Sequence, residues 1–127
     1  MAIAQVQSRR KPTGGRYKRA SIKIKKANLG TAPAHTKLGP TKKQKVRIRN
    51  GSRKTLLLYA EKINVFDPKT KKYSVEVIKT ISANPANSQF VRRNIMTKGA
   101  IVETAKGKVR ITSRPGQEAT ITGILLE

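Results

Sequence analysis

The chain has 127 residues and a formal net charge of +23, with 29 lysines and arginines against six carboxylates. It has no cysteine and one histidine, which excludes disulfides and thiolate metal sites and leaves a histidine-based zinc site short of ligands. One domain fits this length beside a basic arm, no apolar run is long enough to span a bilayer, and the few aromatic residues cannot line a whole stacking groove.

The first seven residues are too short and too polar for a signal-peptide core, so a cytoplasmic location is expected. From there to residue 54 the chain carries Arg9, Arg10, Lys11, Arg16, Lys18, Arg19, Lys23, Lys25, Lys26, Lys37, Lys42, Lys43, Lys45, Arg47, Arg49, Arg53 and Lys54. No carboxylate precedes Glu61. Such a run repels itself and has too few large apolar groups to close a core, so a polyanion must supply the missing charge. A nucleic-acid backbone is the commonest such partner.

Residues 1–43 show little periodicity and are broken by Pro12, Gly14, Gly15, Gly30, Pro33, Gly39 and Pro40. They are read as a long, irregular, basic N-terminal extension. Within it, Ile22 and Ile24 alternate with lysines, in a pattern that fits a short strand or one helical turn equally well. Gly14 and Gly15 next to Arg16 and Tyr17 combine a bare backbone, a guanidinium and a ring. That group suits close phosphate approach and base stacking, or is an ordinary flexible turn.

From Lys43 the pattern shifts to period two. Lys45-Val46-Arg47-Ile48-Arg49 reads as a strand, Asn50-Gly51 as a hairpin turn, and Thr55 to Phe66 as a long apolar stretch. Residues 67–72 read as a turn, and Tyr73 to Ile81 as a strand with Val75 and Val77 on one face. Residues 82–88 read as a loop. Strands are then expected over 90–96, 100–105, 109–113 and 119–126, with glycine-bearing turns at Lys98-Gly99, Lys106-Gly107 and Pro115-Gly116. The expected fold is all-β, a small antiparallel barrel over 44–127 behind the extension. Closure removes exposed strand edges from a domain with no disulfide.

In the barrel half, Arg92, Arg93, Lys98 and Arg114 are the candidate phosphate contacts. Adjacent strand residues point to opposite faces, so one of Arg92 and Arg93 is expected to face inward unless the strand is irregular. A salt bridge to Glu76 or Glu103 is the competing use of this pair. The carboxylates are scattered, without the spacing of a catalytic pair or a two-metal site, so no enzyme, cofactor or small-molecule substrate is expected. Neither glycine segment completes a nucleotide-binding loop.

Several segments, in order, carry a resemblance to a known family. They are Arg10-Lys-Pro-Thr-Gly-Gly15, Leu29-Gly30, Thr36-Lys-Leu-Gly39, Val46-Arg-Ile-Arg49, Asn84-Pro-Ala-Asn87, the run from Arg92 to Ile101, and Thr112-Ser-Arg-Pro-Gly-Gln117. Across essentially its whole length the chain resembles the small-subunit ribosomal protein eight family of the eukaryotic and archaeal type, in its short archaeal form. Ile22 and Ile24 interrupt the family's run of cations, and Asn28 stands where an acid is usual. The resemblance implies a β-barrel with an extension threaded into RNA. Its implied role is as a structural constituent of the small ribosomal subunit, partnered by small-subunit ribosomal RNA and neighbouring small-subunit proteins. The rival reading, from charge alone, is a DNA-compacting architectural protein.

Overall fold

The structure is a computed structural model that describes residues 8, 10–17, 25, 28–48 and 50–126. These fall into two units divided between Pro33 and Ala34. The alternating segment around Ile22 and Ile24 lies outside the described residues.

In the first unit a small hairpin spans 10–16. The Lys11 amide donates to the Gly15 carbonyl at 2.8 Å, and the Gly14 amide to the Lys11 carbonyl at 2.9 Å. Gly14 turns the chain at φ +87, a backbone region that strains other residues. Residues 34–43, expected in the extension, belong to the second unit. Thr36 is buried there, and its hydroxyl donates to the Leu57 carbonyl at 2.6 Å.

The second unit is built almost wholly of strands, in two sheets. The smaller sheet contains β1 (Lys37–Leu38), β2 (Lys42–Arg47) and β3 (Arg53–Ala60) in the order β1-β3-β2. The larger is a closed barrel of β4 (Lys62–Asp67), β5 (Lys72–Ala83), β6 (Ile101–Thr104), β7 (Gly107–Ile111) and β8 (Thr122–Leu125). The expected apolar stretch from Thr55 to Phe66 is thus two strands in two sheets, separated at the exposed Glu61. Consecutive barrel strands are antiparallel. An odd number of alternating strands leaves the first and last running the same way, so β4 and β8 close the barrel in parallel, pairing Asn64 with Thr122 and Phe66 with Ile124.

Period-two burial fills the barrel. Ile63, Val65, Val102, Val109, Ile111 and Ile121 point inward, with Leu57 and Ala60 of β3 packed among them. On β5 the outward face is the apolar one: Tyr73 is 77% exposed and Val75 66%, and Val77 is exposed beside them. Inward burial on this strand starts at Ile78 and continues at Ile81. Their odd spacing is accommodated by register shifts between β5 and β6, which let the longest strand bend around the barrel.

The expected strand over 90–96 is instead a single helical turn, α1 (Gln89–Arg92), followed by a short bridge. The Asn87 side chain accepts the Gln89 amide, its carbonyl accepts the Phe90 amide, and Asn94 ends the turn at φ +51. Buried Asn84 holds this segment to the barrel. Its Nδ2 donates to the Ile95 carbonyl at 3.1 Å, while its Oδ1 accepts the Ala86 amide and the Thr97 hydroxyl.

Candidate nucleic-acid interface

The β2–β3 ribbon is the most strongly charged element. Every residue of β2 is exposed, so both of its faces meet solvent. Its register pairs Lys43 with Leu57, Lys45 with Thr55 and Arg47 with Arg53. Paired residues share a face and alternate residues repeat it, which puts Lys43, Lys45, Arg47 and Arg53 on one side. Among the described residues none of the four meets a carboxylate. Like charges directly opposite destabilise a strand pair, so the Arg47–Arg53 rung costs the free protein stability. Lys54 is half-buried and donates from Nζ to Gln117 Oε1 at 3.2 Å, tying the ribbon to the turn that carries Arg114. Asn50 and Gly51 close the ribbon as expected: Gly51 adopts φ +83, and Asn50 Oδ1 accepts the Ser52 amide.

In the first unit, Arg10 and Arg16 face each other across the hairpin. Arg10 Nη1 donates to the Gly14 carbonyl at 3.1 Å, and Lys11 Nζ lies 5.6 Å from the centre of the exposed Tyr17 ring. Among the described residues, and apart from its two chain neighbours, no atom lies within 4 Å of where a Gly14 side chain would begin, so the turn presents open backbone; Gly15 is exposed beside it. The Lys25 carbonyl accepts the Asn28 amide, and Lys25 is exposed. Arg9, Lys18, Arg19, Lys23, Lys26 and Arg49 lie outside the described residues.

On the barrel unit Arg92 and Arg93 are both exposed. The expectation of one inward arginine fails because the pair ends a helical turn and does not lie in a strand. The competing salt bridge does not form either. Glu76 lies 3.1 Å from Lys106 Nζ, and Glu103 Oε2 accepts the Thr80 hydroxyl. Lys98 is exposed in the turn before β6, and Arg114 is exposed at a turn whose Pro115 carbonyl accepts the Leu57 amide.

A cleft of about 450 Å³ lies beside α1, lined by Ala34, His35, Lys37, Leu58, Tyr59, Phe90, Arg93 and Ile95. Of these, only Lys37 and Arg93 were candidates from sequence. Tyr59 ends an apolar run, Leu56-Leu57-Leu58-Tyr59, that reads as core, and its outward position follows only from the pairing on both sides of β3. Among the described residues no cluster of three or more histidine, aspartate or glutamate side chains could hold a metal ion, and no helix is long and apolar enough to cross a membrane.

Residues 4–126 match the family model described as ribosomal protein S8e. The chain is 47% identical to the small ribosomal subunit protein eS8 of Methanosphaera stadtmanae over 127 residues, covering all of both chains. It is 45% identical to the protein of that name from Methanobrevibacter smithii, over 99% of this chain and all of the relative. It is 46% identical to that of Methanococcus aeolicus, over 99% of this chain and 98% of the relative.

Proposed function

The chain belongs to the ribosomal protein S8e family, and from that premise we propose that it is a non-enzymatic structural constituent of the small ribosomal subunit that binds and stabilises small-subunit ribosomal RNA. The observation that carries the RNA-binding part is the β2–β3 ribbon. It is a two-stranded arm, exposed on both faces of β2, whose four same-side cations have no carboxylate among the described residues. A phosphate backbone supplies the missing charge, and each neutralised phosphate releases a counterion.

In this reading the cations before Ala34 follow the RNA backbone as an extension. Arg92, Arg93, Lys98 and Arg114 join the ribbon as a docking surface on the folded unit. The outward row of Tyr73, Val75 and Val77 suits a protein neighbour, since exposed apolar side chains in a contiguous row mark interaction surfaces.

The test is a sucrose gradient of lysate from cells making this chain, run at moderate salt after DNase treatment. Co-sedimentation with free small subunits and whole ribosomes is the expected result. A chain that stays at the top of the gradient, or that moves with DNA before DNase treatment and is released by it, overturns the proposal.

A further inference from the structure

The smaller sheet sets a row of side chains across its outer face. β1 pairs Lys37 with Tyr59, β2 pairs Lys42 with Tyr59, and a bridge pairs Lys37 with Ile95. Directly paired residues share a face, so the order across the sheet is Ile95, Lys37, Tyr59, Lys42. Tyr59 stands between two lysines and is 39% exposed, on a strand whose neighbours Leu57 and Ala60 are buried.

Its ring lies beside Gly39, where a side chain would begin 3.4 Å from Tyr59 Cδ1, an ordinary contact distance, at a φ of +153. Beyond Lys37 the Phe90 and His35 rings meet edge to face, with centres 5.6 Å apart, and Arg93 follows at the end of α1. His35, which lines the cleft, holds a positive φ of +44, a conformation that costs most non-glycine residues energy.

Rings and cations therefore alternate around one cleft, and no carboxylate among the described residues lines it. A flat ligand with negative charge at its edge satisfies both. A duplex cannot offer this, because its bases are stacked inside and only phosphates face outward. An unpaired nucleotide can, with its base on an aromatic face and its phosphates on the flanking cations. We propose that the Tyr59 cleft captures one unpaired nucleotide of the bound RNA, with the base stacked on Tyr59 and the adjoining phosphates held by Lys37, Lys42 and Arg93. This inference rests on the RNA-binding reading above, and adds to the ribbon's charge a contact that depends on single-stranded structure.

The test is equilibrium binding of the full chain to an in vitro transcript of small-subunit ribosomal RNA, across a range of salt concentrations. Loss of one base–aromatic stack weakens binding roughly 5- to 150-fold. Tyr59→Ala is expected to produce a loss in that range without changing the salt slope, since no charge is removed, while Tyr59→Phe binds as the parent does. Replacing Lys45 and Arg47 by alanine is expected to reduce the slope, which a stacking loss does not do.

A second measurement needs no variant. Ultraviolet cross-linking of the parent complex, read by mass spectrometry, is expected to leave a nucleotide on Tyr59 or Phe90. If Tyr59→Ala binds normally and these residues carry no cross-link while the ribbon variant is impaired, the cleft inference is overturned and the RNA-binding reading stands. If the parent chain does not bind the transcript, both are overturned. If free AMP at micromolar concentration displaces the transcript, the site takes mononucleotides and the assignment to an RNA chain is wrong.

Discussion

Replacing Gly123 with alanine tests how tightly the barrel is closed. Gly123 lies in the middle of β8, paired with Val65 on one side and Ile111 on the other. A Cβ built there would sit 2.5 Å from Val109 Cγ1, 2.9 Å from the Arg110 carbonyl oxygen and 3.1 Å from Ile63 Cδ1. Carbon atoms in good contact are about 3.5–4.0 Å apart, so the first contact is too close by about 1–1.5 Å. Val109 and Ile63 are fully buried and have nowhere to swing, and Arg110 contributes backbone. The strand cannot shift without loosening one of its two ladders.

Overpacking of this kind costs about 1–3 kcal/mol, and alanine's smaller unfolded-state entropy returns about 0.4–1 kcal/mol. The net loss of about 1–2 kcal/mol lowers Tm by roughly 4–16 °C in a domain of this size. Thermal unfolding followed by circular dichroism, with the full chain free of RNA, measures it. Gly116→Ala is the control: among the described residues beyond its chain neighbours its Cβ would meet only Ala34 Cβ, at an ordinary 3.5 Å, and Tm should not fall. If Gly123→Ala melts at or above the parent temperature, the steric account of closure is refuted.

Three further outcomes follow from described contacts. Arg53→Glu replaces a like-charged rung opposite Arg47 with an opposed pair, so it should raise the Tm of the free protein by about 1–8 °C while weakening RNA binding. Melting curves and filter binding should therefore move in opposite directions. Asn84→Asp removes the donor to the Ile95 carbonyl in a buried site, at a cost of about 1–3 kcal/mol, and the loss of Tm should come with weaker near-ultraviolet signal from the α1 region. The Thr70 hydroxyl, and then the Lys69 amide, hold the Asp67 carboxyl below its ordinary 3.8. A carboxylate depressed in the folded state contributes stability that is present above the unfolded value and is lost as pH falls through the folded one. Asp67→Asn and Thr70→Val should both flatten the decline of Tm on acidification from about pH 5, and a parent-like decline in both would contradict the turn's role.

Much of the charged surface was legible because charge needs no partner to be read. Seventeen cations before the first carboxylate point to a polyanion whatever the fold. The turns were legible for a similar local reason: Asn50-Gly51 and residues 67–72 form where their side chains and positive φ values allow.

What depends on distant pairing was hidden. Only the charged pair Glu61-Lys62 marks the break between Thr55–Ala60 and Lys62–Phe66, and it does not reveal that the two segments belong to different sheets. Val75 and Val77 alternate like core residues, yet face out, because β5 turns its other side to the barrel. The helical turn did leave a trace, since apolar residues at 90, 91, 95 and 96 do not alternate. Tyr59 was missed for lack of any such trace; only the pairing of β3 with β1 and β2, both distant in sequence, reveals which way the ring points.

The parallel closure of β4 on β8 also sets an order of events during synthesis. Asn64 must wait for Thr122, so the barrel cannot complete until its final strand has been made. The cations from Arg10 to Arg53 leave the synthesising ribosome well before that strand does. For that interval the nascent chain is a tethered polycation with an unfinished body, able to pair with any exposed polyanion. A polyanion that holds the basic segment early would leave the barrel free to close once β8 is made.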